Sequence, residues 1–295
     1  MTSSNKEHPP KPVAFVCGWP VAHSRSPLVH RYWLKKYGLT GSYDKVPVEP
    51  GTLATLLDRI RSGEFAGGNI TIPHKEEALK LADTADEAAT KIGAANTVWI
   101  ENGKLNVTNT DWLGFIANLD DQAPGWDRPE QGGCSALVIG AGGAARGVIY
   151  GLLECGAKSV RIVNRTVAKA KTLARAFEGN LAALPLDAGK IDADNIDLVV
   201  NTSSMGMHGQ PPMSDEILGL IRLLPGHAVV CDIVYTPLET PLLKAAKAHG
   251  LRTVDGLGML LHQAAPGFEK WFGIKPEVTP QLRKLVIADL PQEAK

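Results

Sequence analysis

The stretch Ala136-Leu137-Val138-Ile139-Gly140-Ala141-Gly142-Gly143-Ala144-Ala145 decides the fold. Its first four residues are a short apolar run of strand type, and the segment from Ala145 to Cys155 reads as a helix. A Gly-x-Gly-x-x-Gly/Ala pattern between a strand and a helix predicts a dinucleotide turn. Gly140 permits the tight turn, Gly142 lets the backbone approach a pyrophosphate, and Ala145 keeps strand and helix close. The free N–H groups at the helix start then receive negative charge. Gly140, Ala141, Gly142, Gly143 and Ala144 are therefore candidate cofactor contacts.

Downstream of this turn, Val160 to Val163, Leu198 to Val200 and Ala228 to Val234 repeat the apolar, β-branched run. The helical stretches Val167 to Phe177 and Thr240 to His249 come between or after them. Such alternation predicts a parallel, doubly wound Rossmann-type sheet. The second run ends in Asn164-Arg165-Thr166, where an NAD-selective site places an acid on the ribose 2′-hydroxyl. No acid stands there. Asn164, Arg165, Thr166 and Lys169 suit a 2′-phosphate instead, which points to NADP. Thr202, just past the third run, and Ile233, in the last, fall at the strand ends where ligands bind in open α/β sheets.

Upstream, a strand over Lys11 to Gly18 precedes a helix from Pro27 to Tyr37 closed by Gly38. Gly41 to Val48 and Gly68 to Ile72 read as strands, Leu53 to Arg61 and Glu76 to Thr84 as helices. A hairpin is expected over Thr97 to Val107 around Asn102-Gly103. The chain, 295 residues long, thus divides into a mixed α/β domain over 1–111 and 256–295 and a Rossmann domain over 112–255. The expectation for 256–295 is that the helical Leu257 to Phe272 returns to the first domain. Lys plus Arg (31) balance Asp plus Glu (31), so no net field gathers polyanions, and a small-molecule partner is expected rather than nucleic acid or membrane. Met1 to Pro12 is polar, unlike a signal peptide or a spanning helix. The scattered Cys17, Cys134, Cys155 and Cys231 suit buried thiols in a reducing cytoplasm, with no zinc spacing. Monomer and homodimer both stay open.

Three polar motifs in the first half resemble the shikimate dehydrogenase family. They are Gly18-Trp19-Pro20-Val21-Ala22-His23-Ser24-Arg25-Ser26-Pro27, Asn69-Ile70-Thr71-Ile72-Pro73-His74-Lys75 and Asn109-Thr110-Asp111. The likeness continues through Ala95-Asn96-Thr97, the glycine turn, Asp232-Ile233-Val234-Tyr235-Thr236-Pro237 and Gly256-Leu257-Gly258-Met259-Leu260-Leu261-His262-Gln263-Ala264. The resemblance implies reversible NADP-dependent reduction of 3-dehydroshikimate to shikimate, on the route to chorismate and the aromatic amino acids.

It also implies roles, each with a structural alternative. Lys75 and Asp111 would handle the proton; alone, Lys75 could be a surface lysine and Asp111 a helix N-cap. Ser24 and Ser26 would bind the substrate carboxylate, although Ser26 before Pro27 is also a good N-cap. Thr71, Asn96 and Gln263 would hydrogen-bond ring hydroxyls, and Tyr235 and Gly258 would border nicotinamide and substrate. His23, His74 and His262 read as structural or as supporting the site residues from behind. Trp112 after Asp111 and Trp19 in the opening loop depart from the family pattern. They leave a quinate or aminoshikimate enzyme as the alternative, with indole burial as the simpler account; a catalytically silent metabolite sensor is a more distant one.

Overall fold

The computed structural model describes residues 11–187 and 191–291, and these form two compact units. The first comprises residues up to Asp86, Ala95–Thr108 and Ala265–Glu277; the second comprises Glu87–Ala94, Asn109–Ala264 and the residues from Val278 onward.

In unit 1 the strands are β1 (Val13–Gly18), β2 (Ser42–Pro47), β3 (Gly67–Ile70), β4 (Thr84–Ala85), β5 (Thr97–Glu101) and β6 (Lys104–Thr108), ordered β2-β1-β3-β5-β6-β4. β1 runs parallel to β2 and β3, whereas β5 is antiparallel to both β3 and β6. The expected hairpin is present, with Asn102 (φ 54°) and Gly103 (φ 73°) both left-handed, as a two-residue turn that follows the strand twist requires. Helices α1 (Ser26–Lys36), α2 (Leu53–Arg61) and α3 (Lys75–Leu81) connect the first strands. The helix expected to reach Thr84 stops at Leu81, because Ala82 turns extended (ψ 148°) and Thr84 pairs with Asn106 of β6.

Unit 2 holds β7 (Ser135–Ile139), β8 (Ser159–Val163), β9 (Leu181–Leu184), β10 (Leu198–Asn201), β11 (Val229–Asp232) and β12 (Arg252–Val254). They form one parallel sheet in the order β12-β11-β10-β7-β8-β9, the doubly wound Rossmann order. Alternate residues of β7 enter different cores: Ala136 and Val138 join one cluster, Leu137 and Ile139 the other. That two-sided burial explains an unbroken apolar run where an exposed strand would alternate. The helices are α4 (Glu87–Ile92), α5 (Asp111–Gln122), α6 (Gly143–Glu154), α7 (Val167–Arg175), α8 (Asp215–Ile221), α9 (Pro241–Ala248), the first half of α10 (Leu257–Phe272) and α11 (Pro280–Asp289).

The division by contacts differs from boundaries at 111/112 and 255/256. α4 belongs to unit 2 because Ala88, Ile92 and Ala94 cluster with Tyr150, and Arg146 Nε donates to the Ile92 carbonyl. α10 is shared along its length. Its start lies so close to α5 that a Cβ on Gly114 would stand 2.6 Å from the Met259 carbonyl. Its end turns Phe268 and Trp271 toward the His30 and Trp33 rings of unit 1. α11 belongs to unit 2, where Arg283 pairs with Asp255.

Candidate active site

In unit 2 the chain leaves β7 through Gly140, whose φ of 109° disfavours any side chain. A Cβ there would also stand 2.7 Å from Thr202 Oγ1, so the loops after β7 and β10 touch at this glycine. Thr202 closes that contact by donating both its N–H (2.8 Å) and its hydroxyl (2.7 Å) to the Ile139 carbonyl. β7 and β10 flank the point where the strand order reverses, which is where ligands settle in such sheets. At Gly142 and Gly143 an added Cβ would meet nothing within 4 Å. The start of α6 has no side-chain cap, and Ala145 beneath is fully buried. An exposed, uncapped helix start over a tightly packed base fits a dinucleotide pyrophosphate.

Beyond β8, Asn164 Nδ2 donates to the Thr166 carbonyl at 3.0 Å and shapes the turn. Arg165, Thr166 and Lys169 are exposed, and the first turn of α7 carries no acid. These groups fit a 2′-phosphate. Ile233 is half-buried and anchored by its N–H to the Asn201 carbonyl. Gly258 faces Asn118 of α5 so closely that a Cβ would collide with the amide oxygen.

Asp111 is the first residue of α5, not its N-cap; that position is Thr110, and neither residue caps through its side chain. The Asp111 N–H is held by Asn109 Oδ1 at 3.0 Å. Thr110 Oγ1 donates to the Gln263 carbonyl (2.8 Å), which brings Gln263 beside the start of α5. Gln263 is buried, with Nε2 donating to Leu260 O in its own helix. Across from it, Gly147 of α6 stands 3.9 Å from Asp111 Cβ, measured from a Cβ built on the glycine. Tyr235 is half-buried in the loop after β11; the strand stops at Asp232, two residues short of the expected run to Val234, because the backbone is drawn off the ladder there. Val234 N–H bonds Asp232 Oδ1 instead.

Asp232 was assigned no role from the sequence, and Asn201 was read only as part of a strand end that borders the cofactor. Fully buried Asp232 accepts from Asn201 Nδ2 (2.9 Å), Val234 N–H (3.0 Å) and Thr240 Oγ1 (2.7 Å). Burial pushes its carboxyl up to about 6 against these three donors. Asn201 Oδ1 in turn accepts from Ser203 N–H and hydroxyl. One buried pair thus fixes the loops after β10 and β11. The legible signal is a single polar residue closing each of two apolar runs, but only their register, Asn201 opposite Asp232, reveals the pair.

Unit 1 gathers Ser24, Ser26, Thr71, Lys75 and Asn96 at one edge of its sheet. Ser24 and Ser26 follow β1, Thr71 and Lys75 follow β3, and Asn96 precedes antiparallel β5, so all lie at the same end. Ser26 is not an N-cap: α1 begins at Ser26 itself after Arg25, which caps nothing. Instead Ser24 Oγ accepts the Ser26 N–H at 3.3 Å and lies 3.3 Å from its hydroxyl. Thr71 is seated by its N–H on the Cys17 carbonyl (2.9 Å), over Gly18, where any Cβ would collide with the threonine methyl. Lys75 opens α3, half-buried, and its carbonyl accepts Ala95 N–H at 2.9 Å, which ties it to the Asn96 loop. His74 beside it is buried with Nε2 2.8 Å from the Val48 carbonyl, a structural role. His23 is exposed and His262 half-buried, with burial lowering the latter's pKa. Cys17, Cys134 and Cys231 are buried free thiols, and Cys155 is a half-buried one.

Trp112 packs edge-on against Tyr150 of α6 at 5.2 Å, the indole packing that accounts for its bulk. Trp19 differs: it is 45% exposed, so burial does not explain it.

An NADP-shaped cradle on a Rossmann sheet, together with a unit whose sheet edge bears hydroxyls, amides and one ammonium, defines a two-unit nucleotide-dependent dehydrogenase. Family models agree: the shikimate dehydrogenase substrate binding domain matches residues 16–98, shikimate / quinate 5-dehydrogenase residues 128–208, and the shikimate 5′-dehydrogenase C-terminal domain residues 256–283. The chain belongs to the shikimate dehydrogenase family. It is 52% identical over 277 residues to the shikimate dehydrogenase (NADP(+)) of Nitrobacter hamburgensis, covering 94% of each chain. With that of Chelativorans sp. it shares 50% identity over 277 residues, 94% of this chain and 96% of the other. The crystal structure of shikimate 5-dehydrogenase from Thermus thermophilus in complex with NADP(H) and shikimate superposes with a TM-score of 0.80 at 35% identity, covering 95% and 100% of the two chains. Among the described residues no helix is long and apolar enough to cross a membrane.

Proposed function

We propose that this chain catalyses the reversible NADP-dependent reduction of 3-dehydroshikimate to shikimate, in the cytoplasm, as a step of chorismate and aromatic amino acid biosynthesis. The observation that carries this is the set of Ser24, Ser26, Thr71, Lys75 and Asn96 at one sheet edge: neutral donors and one cation suit a polyhydroxy carboxylate. Unit 1 binds the substrate and unit 2 the nucleotide. Ser24 and Ser26 take the carboxylate; Thr71, Asn96, Gln263 and Tyr235 take the ring. Gly140, Ala141, Gly142, Gly143 and Ala144 hold the pyrophosphate, Asn164, Arg165, Thr166 and Lys169 the 2′-phosphate, and Thr202, Ile233 and Gly258 flank the nicotinamide end.

When bound, the nicotinamide supplies or accepts the hydride at the substrate carbon. Lys75 and Asp111 manage the matching proton: in reduction one proton reaches the new alkoxide oxygen, and in oxidation the hydroxyl loses it. Fixed donors hold the ring so that little orientation is left to chance. Initial rates with shikimate, quinate and an aminoshikimate, each with NADP and with NAD, test the reading. Shikimate with NADP should be the most efficient pair, and no measurable NADP-dependent oxidation of shikimate would overturn the proposal.

A further inference from the structure

Where the pairing of β5 with β6 ends, a side chain takes over from the backbone. The last register pair is Thr97 with Thr108, and one more backbone bond follows it, from Asn96 N–H to the Thr108 carbonyl at 3.0 Å. The next residue, Asn109, is buried, and its Nδ2 donates to the Ala94 carbonyl at 2.9 Å. Its Oδ1 accepts the Asp111 N–H at 3.0 Å. One partner can only accept and the other can only donate, so a single orientation of the amide serves both.

The Ala94 carbonyl belongs to the same peptide group as the Ala95 N–H, and that N–H donates to the Lys75 carbonyl at 2.9 Å. A peptide group is planar and stiff, so its two ends move together. A path from Lys75 to Asp111 thus consists of three hydrogen bonds, one peptide plane and the Asn109 amide, which makes two of the three bonds. The turn before this peptide is held from α6 as well. Arg146 Nε donates to the Ile92 carbonyl, and Gly93, at φ 76°, lies so near that an added Cβ would stand 2.9 Å from Arg146 Nη2.

We infer that Asn109 is a positioning residue that holds the Asp111 backbone in step with that of Lys75, through the Ala94–Ala95 peptide. The inference rests on Lys75 and Asp111 handling one proton, as proposed above. A helix cap would need only the Oδ1 bond to the start of α5. The Nδ2 bond is the one that ties this helix start to the peptide on Lys75. The two roles separate on a shorter side chain: Asn109→Ser keeps an oxygen that can accept the Asp111 N–H but falls short of the Ala94 carbonyl.

The experiment measures kcat, the KM values for shikimate and NADP, and denaturant unfolding for wild type, Asn109→Ala, Asn109→Ser, Lys75→Ala, and Lys75→Ala combined with Asn109→Ser. Asn109→Ser should lower kcat about tenfold, part of the loss expected when a positioned acid–base group is removed, with the NADP KM within about twofold of wild type. Asn109→Ala, which loses the cap too, should unfold more readily than Asn109→Ser and yet have a kcat within about threefold of it. In the Lys75→Ala background Asn109→Ser should cost less than about twofold more, because no pair is left to keep in step. A wild-type kcat in Asn109→Ser would overturn the inference and leave Asn109 a helix cap. So would a full tenfold loss repeated on Lys75→Ala, which would mean general damage. Should Asn109→Ser not fold, Asn109→Asp replaces it with the same expectations, since it keeps the shape and the acceptor and sets an oxygen against the Ala94 carbonyl. An undiminished kcat in Lys75→Ala would instead defeat the proposed catalytic pair, and the inference with it.

Discussion

Replacing Asp232 with Asn should change how stability depends on pH, with a sign opposite to that of most carboxylates. The folded protein holds this carboxyl at about 6, against an ordinary value of 3.8, because burial outweighs the donors from Asn201, Thr240 and Val234. The folded state therefore binds the proton more tightly than the unfolded chain. That stabilisation is complete below the unfolded value and is lost as pH rises through about 6. A gap of about two units corresponds to roughly 3 kcal/mol, of which a little under half should disappear between about pH 5 and 7. Asn keeps the shape: its oxygen can accept from Asn201 and Val234 as Oδ1 does now, and its amide can face the Thr240 hydroxyl. Denaturant unfolding of wild type and Asp232→Asn across this range gives the difference in free energy at each pH, which cancels the exposed carboxylates common to both. The difference should fall, wild type losing ground as pH rises. A difference that stays constant, or grows with pH, would refute the account of Asp232 as a charge held against its own burial.

Arg165→Ala should lower kcat/KM for NADP by about 10- to 100-fold through loss of a charge-assisted phosphate contact, and leave NAD nearly unchanged; equal losses with both cofactors would remove Arg165 from the 2′-phosphate. Lys75→Ala should lower kcat about 100-fold with little change in NADP affinity, whereas a rise confined to the shikimate KM would make it a binding residue. Adding Asp111→Asn should cost much less than the product of the single effects, and strict multiplication would show two independent contacts. Gly140→Ala forces a side chain into φ 109° and toward Thr202 Oγ1, so unfolding experiments should show a loss of about 1–3 kcal/mol and NADP titration a weakened site. Unchanged stability and affinity would show that the turn tolerates a Cβ.

The sheet of unit 2 was legible because strands buried on both faces read as unbroken apolar runs, as Leu198 to Val200 does. β9 was missed for the opposite reason. Leu181-Ala182-Ala183-Leu184 is a half-buried edge strand built from good helix formers, and only pairing with β8 makes it extended. α4, with six residues, has no room for a periodic pattern. α8 and α11 carried caps that could have been read, Ser214 and Thr279, each accepting the N–H three residues on. The division of α10 between two units was not legible, since its apolar residues say that it packs but not on what. Individual site residues stood out as polar residues in apolar or glycine-rich settings. Their supporting bonds did not, because Asp232 with Asn201, and Asn69 with Tyr43 and Thr97, meet only through strand register.

The two tryptophans that depart from the family pattern bear differently on substrate choice. Trp112 occupies a position beside Asp111, but its indole is turned onto Tyr150 in a cluster with Ala88, Ile92 and Ala94. Its bulk is accounted for by packing between helices, as is the nearby Gly151, where an added Cβ would already stand 3.6 Å from Trp112 Cβ. The reason to expect a reshaped ring pocket from this residue therefore falls away. Trp19 keeps its bearing on specificity, since it is exposed and its N–H bonds the Ile72 carbonyl at 3.0 Å, on the sheet edge that carries Ser24 and Thr71. On the function proposed above, selection between shikimate and a ring with an added or replaced substituent should fall to that edge of unit 1. There a mismatched group should leave the Asn96 or Thr71 side chain without a partner, a stronger discrimination than bulk alone supplies.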